Sequence, residues 1–183
     1  MSKNLFVSGE EVVLLDMLEA RERRQEKQMS LLKSHDALTL VSMTMNIPGS
    51  VKVIPEITQI FDHLFEELTI LFKDCLFLKE LSHDKTGHEG YFLLEKEKEP
   101  IKKQLIMLEE TANFGRLFDL DVVNLVDGNI TLISRKDFDL TPRKCFICNE
   151  DAKACGRNRT HSVEDLQLAI SEYIEERRDM LND

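Results

Sequence analysis

Asp127-Gly128 constrains this chain more tightly than any other pair of residues. A two-residue loop whose central positions both tolerate positive φ joins antiparallel strands in one narrow geometry. The flanking stretches, 116–126 and 130–135, alternate apolar and polar residues as a half-buried hairpin does. In the first arm Phe118, Leu120 and Val122 project to one face, and Asp119 and Asp121 together to the other. The loop also fixes a register, with Asp121 opposite Ser134 and Asp119 opposite Lys136; a bulge would bring Asp137 opposite Asp119 instead.

The hairpin closes a longer series. Residues 38–47 are β-branched and apolar and end at Pro48-Gly49, which predicts a buried strand and a turn. Across 55–73, Ile57, Ile60, Phe61, Leu64 and Leu68 recur at helical spacing behind Pro55. Strands are predicted over 76–81 and 90–95, joined by a polar loop whose His83 and His88 face solvent, and a helix over 100–111. Ahead of these, Ser8-Gly9-Glu10-Glu11 has capping-box spacing and opens a helix over 8–32 through Val12, Val13, Leu14 and Leu15. Its continuation, 21–28, is polar on every side, as a solvated helix end is. A second box at Ser162 starts a closing helix. The order implies an α+β fold, a ferredoxin-like β-α-β-β-α-β sandwich with an added hairpin strand, an N-terminal helix, and a C-terminal Cys/His cluster plus helix. At 183 residues one domain is expected, with 8–32 as the first helix, 38–140 as the core and 141–183 as the cluster and last helix.

Cys145, Cys148, Cys155 and His161 form the second constraint. Nothing in the chain is long and apolar enough to cross a bilayer, and the start lacks the pattern of a secretion signal, so a cytoplasmic setting with reduced thiols is expected. There, three cysteines and a histidine suit tetrahedral structural zinc; the alternative is small thiols filling a core. Asp119 and Asp121 suit a hard cation such as magnesium, with Arg135 and Arg143 as clamps for phosphate oxygens. Alternatively, Asp119 is only a cross-strand ion partner. A net charge of −10 argues against nucleic acid as a ligand, yet 135–159 holds seven basic residues against four acidic ones, a basic segment fitted to an acidic partner. No Gly-rich phosphate loop is present. The chemistry alone points to a metal-dependent phosphoryl or nucleotidyl transferase, with a phosphodiesterase or a zinc-stapled, non-catalytic adaptor as alternatives.

Several motifs taken together resemble one family. They are Arg21-x-x-Arg24-Gln25-x-x-Gln28, Leu40-Val41-Ser42, Pro48-Gly49, the run from Gly115 through Asp119 and Asp121 to Val122, Ser134-Arg135, and Pro142-Arg143-Lys144-Cys145-Phe146-Ile147-Cys148. The family is the citrate lyase holo-acyl-carrier-protein synthases, or apo-citrate lyase phosphoribosyl-dephospho-CoA transferases, and the likeness spans about Arg21 to His161. It implies transfer of phosphoribosyl-dephospho-CoA from triphosphoribosyl-dephospho-CoA to a serine of the citrate lyase acyl carrier protein, releasing pyrophosphate. Within that reaction the roles are assigned by chemistry: Asp119 and Asp121 are expected to hold magnesium. Arg116, Ser134, Arg135 and Arg143 meet the triphosphate, and Arg21, Arg24 and Gln25 line the nucleotide or carrier side. Polymerase-beta-like transferases usually carry a Gly-Ser or Gly-Gly pair about ten residues before their aspartates; here 108–111 reads Leu-Glu-Glu-Thr, so that fold is not expected.

Overall fold

The computed structural model describes residues 3–181. It has a mixed α/β architecture, a five-stranded antiparallel sheet with five helices: α1 (Leu14–Ser34), β1 (Thr39–Met45), α2 (Pro55–Leu71), β2 (Leu76–Ser82), β3 (Glu89–Leu94), α3 (Lys98–Thr111), β4 (Phe118–Val126), β5 (Asn129–Leu132), α4 (Ala152–Asn158) and α5 (Val163–Glu175). The strands lie in the order β2-β3-β1-β4-β5, so β1 is central.

The two faces are packed differently. On one, Val41, Met43, Phe92, Leu94, Leu120 and Val122 meet Ile57, Phe61, Leu64 and Leu68 of α2, Ile101 and Leu105 of α3, and Ile170 and Ile174 of α5. These side chains are almost fully buried, each contributing about 1.5–3 kcal/mol. On the other face the apolar part is small: Leu40, Leu93 and Val123 lie against Leu31 and Leu32 of α1. That asymmetry follows from the alternation in β1 and β4, where the second face is apolar at one end and polar at the other.

Three local expectations are corrected. The first helix begins at Leu14, not at Ser8, because the preceding residues are tied to the loop after β1: Glu11 bridges Val51 and the Val12 N–H donates to the Ser50 carbonyl at 2.9 Å. Asp16, not the Ser8 box, accepts from the Val13 N–H at 3.0 Å, and Val13, Leu14 and Leu15 are 63–76% exposed. The Asp127-Gly128 turn has φ of 50° and 77° and the expected register, Val126 opposite Asn129 and Val123 opposite Leu132. The ladder then stops. Residues Arg135–Phe138 form a 3-10 turn, so Ser134, Lys136 and Asp137 do not come opposite Asp121 or Asp119. Finally, His88 is buried, its Nε2 hydrogen-bonded to Thr58 Oγ1 at 2.8 Å and its ring edge-on to Phe61; exposed His83 pairs with Asp62 at 2.7 Å.

Candidate functional site

The polar end of the second face forms a crevice floor. Across the sheet, Ser42 lies opposite both Tyr91 and Asp121, and Thr44 opposite Asp119, with Glu89 two residues before Tyr91 on the same side. Directly opposed residues project from one face, so Glu89, Asp119 and Asp121 share a surface with the hydroxyl side chains of Ser42, Thr44 and Tyr91. The middle of α1 roofs it on the β1 and β3 side. Gln28 Nε2 donates to Ser42 Oγ at 3.0 Å, and one turn earlier Arg24 pairs with Glu89 at 2.8 Å, whose other oxygen accepts from Tyr91 at 2.5 Å. The run that is polar on every side therefore has one face turned to a polar floor. Arg21 and Gln25 are exposed on the same stretch.

The backbone between the aspartates is held from α3. Leu120 lies where β4 has lost its outer neighbour; its N–H donates to Glu109 Oε1 at 2.8 Å and its carbonyl accepts from Lys102 Nζ at 2.8 Å. Both charged side chains are about 5% exposed or less, and Lys102 also stands 3.5 Å from Asp121. Gly115 allows this approach, since a Cβ there would meet the Leu108 carbonyl oxygen at 2.2 Å and the Glu109 carbonyl carbon at 2.9 Å. Glu109 then organises two arginines: it pairs with Arg143, and with Arg135 at 2.8 Å, while Arg135 also meets Glu110 at 2.5 Å. Arg143 bridges to Asp119 at 3.0 Å. Burial pushes the Asp119 carboxyl up against the pull of Arg143, and Asp121 and Glu109 add to the rise. Asp119 and Asp121, two residues apart on one face of β4, offer the hard oxygen donors that a divalent cation takes.

Arg116 turns elsewhere. Its guanidinium stacks on Phe146 at 4.4 Å and donates to the Cys145 carbonyl at 3.1 Å, so it braces the cysteine loop. Ser134 is exposed, and its N–H donates to Asp137 at 2.7 Å; neither joins the aspartates. Lys102 and Glu109 were missed by the motif reading, although their spacing of seven places both on the buried stripe of α3 beside Ile101, Leu105 and Ile106.

The four soft ligands do converge. Sγ of Cys145, Cys148 and Cys155 and a nitrogen of His161 all lie within 4.8 Å of one another. Cys148 Sγ is 3.5 Å from Cys155 Sγ and 3.2 Å from His161 Nε2. Metal–sulfur bonds of about 2.3 Å in a tetrahedron put sulfurs roughly 3.8 Å apart, so the cluster has the size to hold an ion such as zinc. Burial pushes the Cys155 thiol up to about 11, with Cys148 and Cys145 adding to it. The knuckle is closed by Cys145 N–H to the Glu150 carbonyl at 2.8 Å and Ala152 N–H to the Arg143 carbonyl at 2.9 Å. The residue that reaches Asp119 thus belongs to the frame of the metal-ligand cluster.

Comparison with known proteins decides the family. The family model described as "Apo-citrate lyase phosphoribosyl-dephospho-CoA transferase" matches residues 12–177. The chain belongs to this family. It is 41% identical over 177 residues to a probable apo-citrate lyase phosphoribosyl-dephospho-CoA transferase of Streptococcus pyogenes serotype M18, covering 95% of this chain and 91% of that one. A protein of the same name from Vibrio cholerae serotype O1 is 36% identical over 165 residues, covering 88% and 90%. Protein CitXG of Haemophilus influenzae is 38% identical over 161 residues, 86% of this chain but 34% of that longer one. The Streptococcus and Vibrio relatives are named as transferases, and this chain is an enzyme of the nucleotidyltransferase type. No helix among the described residues is long and apolar enough to cross a membrane.

Proposed function

We propose that this chain transfers the phosphoribosyl-dephospho-CoA group from triphosphoribosyl-dephospho-CoA to a serine of the citrate lyase acyl carrier protein, releasing pyrophosphate. The observation that carries the reading is the polar row in which Asp119 and Asp121 stand beside Ser42 and Thr44, with Arg24 of α1 paired to Glu89 on one side and Arg143 bound to Asp119 on the other. Asp119 and Asp121 hold magnesium, which when bound neutralises phosphate oxygens and the leaving group. Arg143, aimed by Glu109, and Arg135 behind it supply positive charge where the phosphate charge develops. Arg24, Gln25 and Gln28 line the roof and orient the nucleotide part. His63 pairs with Glu67 on α2 and His161 lies against Cys148, so neither serves the serine hydroxyl.

Zinc at Cys145, Cys148, Cys155 and His161 is structural in this reading, because four protein ligands leave no open coordination position. The basic 135–159 segment is the docking surface for the acidic carrier. We also read the α+β core as ferredoxin-like: the strand order, with β1 between β3 and β4 and β2 outermost, supports that arrangement. The chain acts as a single transferase domain in the cytoplasm.

The test is mass spectrometry of purified apo carrier after incubation with this protein, magnesium and triphosphoribosyl-dephospho-CoA, with an EDTA control. The expected result is a mass increase equal to the phosphoribosyl-dephospho-CoA group, abolished by EDTA. Asp119→Asn and Asp121→Asn should each slow it at least about a hundredfold while carrier binding persists. No mass increase with folded enzyme and authentic substrates would overturn the reading. Full turnover in both aspartate variants would remove them from the site.

A further inference from the structure

The loop that leaves β1 carries a lysine that the crevice as described leaves without a role. Lys52 follows the Pro48-Gly49 turn, and the loop is fastened on its other side by the Glu11–Val51 bridge and the Val12 N–H to the Ser50 carbonyl. Its ammonium is half-buried and donates to the Ile47 carbonyl at 2.6 Å. No carboxylate pairs with it among the described residues. The charge that acts on it is that of Arg21, reaching from α1, and Arg21 likewise forms no ion pair among the described residues. Burial first and Arg21 second push the Lys52 ammonium below its usual range. Two cations carried by separate elements toward the same end of the sheet, each lacking a carboxylate partner among the described residues, form an arrangement that a bound polyanion stabilises.

Their place in the fold says which anion. Asn46 N–H donates to the Leu117 carbonyl at 2.9 Å, so Ile47 lies just past the end of the β1–β4 ladder, whose last polar pair is Thr44 and Asp119. At about 3.3 Å per residue, Ile47 is no more than about 10 Å along the chain from Thr44. Arg21 is one turn of α1 before Arg24, which sits above Glu89 in the same row. Both cations therefore flank the open end of the crevice, beyond the aspartates and away from the apolar patch of Leu40, Leu93 and Val123. We propose that Lys52 and Arg21 form the subsite for the terminal two phosphates of the triphosphate substrate, the pair that leaves together as pyrophosphate. The assignment rests on the transfer reading above, and it gives the loop after β1 a binding role and Arg21 a specific partner. Holding those phosphates by charge from outside the aspartate pair restrains the leaving group while the bond to the transferred phosphorus breaks.

The probe is inorganic pyrophosphate, titrated calorimetrically into the full chain with and without magnesium. Unaltered protein should bind it. Lys52→Met and Arg21→Gln should each weaken binding at least about tenfold, the loss of one charge-assisted hydrogen bond. Lys52→Arg should retain most of the affinity, Lys33→Met on the far end of α1 should change nothing, and thermal melting should show all variants folded. Absence of pyrophosphate binding to the unaltered protein, or unchanged affinity in Lys52→Met and Arg21→Gln, overturns the subsite. Unchanged pyrophosphate affinity with weakened binding of the carrier protein also overturns it, and assigns the two cations to docking. The proposed function stands or falls separately: Lys52-dependent pyrophosphate binding without any mass transfer to the carrier would sink the transfer reading and leave the polyphosphate subsite in place.

Discussion

Glu109→Ala is the substitution that most directly tests how the site is built. The carboxylate is 4% exposed and meets three groups: the Leu120 N–H, Arg135 and Arg143. Deleting one partner of a buried ion pair costs about 3–5 kcal/mol. Arg135 and Arg143 keep 14% and 27% of their side-chain surface, so water relieves part of the loss and the lower figure applies. The orphaned Leu120 N–H adds about 1 kcal/mol, for a total of about 4. At roughly 2–4 °C per kcal/mol for a chain of this size, the midpoint should fall by about 8–16 °C. Glu109→Gln keeps an acceptor for Leu120 and should lose about half as much. Glu110, 57% exposed and bound to the same Arg135, is the contrast: its Gln variant should cost less than about 1 kcal/mol. Urea titrations and thermal melts of the three variants measure this. A Glu109→Ala protein within about 1 kcal/mol of the parent, or a Glu110→Gln protein that loses as much as Glu109→Ala, would refute the argument.

Two further outcomes are expected. The purified chain should retain about one equivalent of zinc by elemental analysis; release with a mercurial should strip amide protection from 144–161 while β1 and β3 stay protected, and a protein without metal in which those amides are already protected would contradict the structural role. His88 should make the fold acid-sensitive: burial lowers its pKa, His83 adds to that, and Asp62 and Asp84 oppose it. A folded-state value below the unfolded 6.5 means the stabilising neutral form is fully effective above about pH 6.5, and stability is lost as pH falls from there through the folded value. Urea midpoints at pH 8 and 5.5 should therefore draw together in His88→Gln; an unchanged pH slope would show that another group is responsible.

Much of the fold was legible because its signals are periodic. The stripe of Ile57, Phe61, Leu64 and Leu68 specified α2, and alternation about Asp127-Gly128 specified the turn and the register of the four pairs next to it. The Cys/His convergence was legible too, since soft ligands cluster for few other reasons. What escaped is what tertiary contacts decide. Lys102 and Glu109 look like ordinary surface charges of a helix, and become buried where β4 has no strand on its outer side at Leu120. The early end of β5 depends on the turn at Arg135–Phe138, with Asp139 in the left-handed region at φ 55°, which local alternation does not encode. His88 sits in a polar loop by sequence and against Phe61 by packing.

The roof of the crevice is fastened almost wholly by charge. Arg23 to Asp84, Arg24 to Glu89, Lys27 to Glu80 and Asp16 to Lys85 tie the N-terminal two-thirds of α1 down, while its buried apolar side chains are the small Ala20 and, in the last turns, Leu31 and Leu32. Partly exposed pairs of this kind are weakened by dissolved ions, and the screening length shrinks from about 10 Å at 0.1 M salt to about 3 Å at 1 M. The sheet beneath, bonded by its backbone, is indifferent to that change. Ionic strength thus becomes a dial acting on the roof more than on the sheet: as it rises, the charge-held part of the helix loosens between its anchored start and its apolar last turns while the sheet keeps its shape, and a crevice built for a highly charged ligand is most firmly closed in the dilute electrolyte where such a ligand is also most strongly attracted.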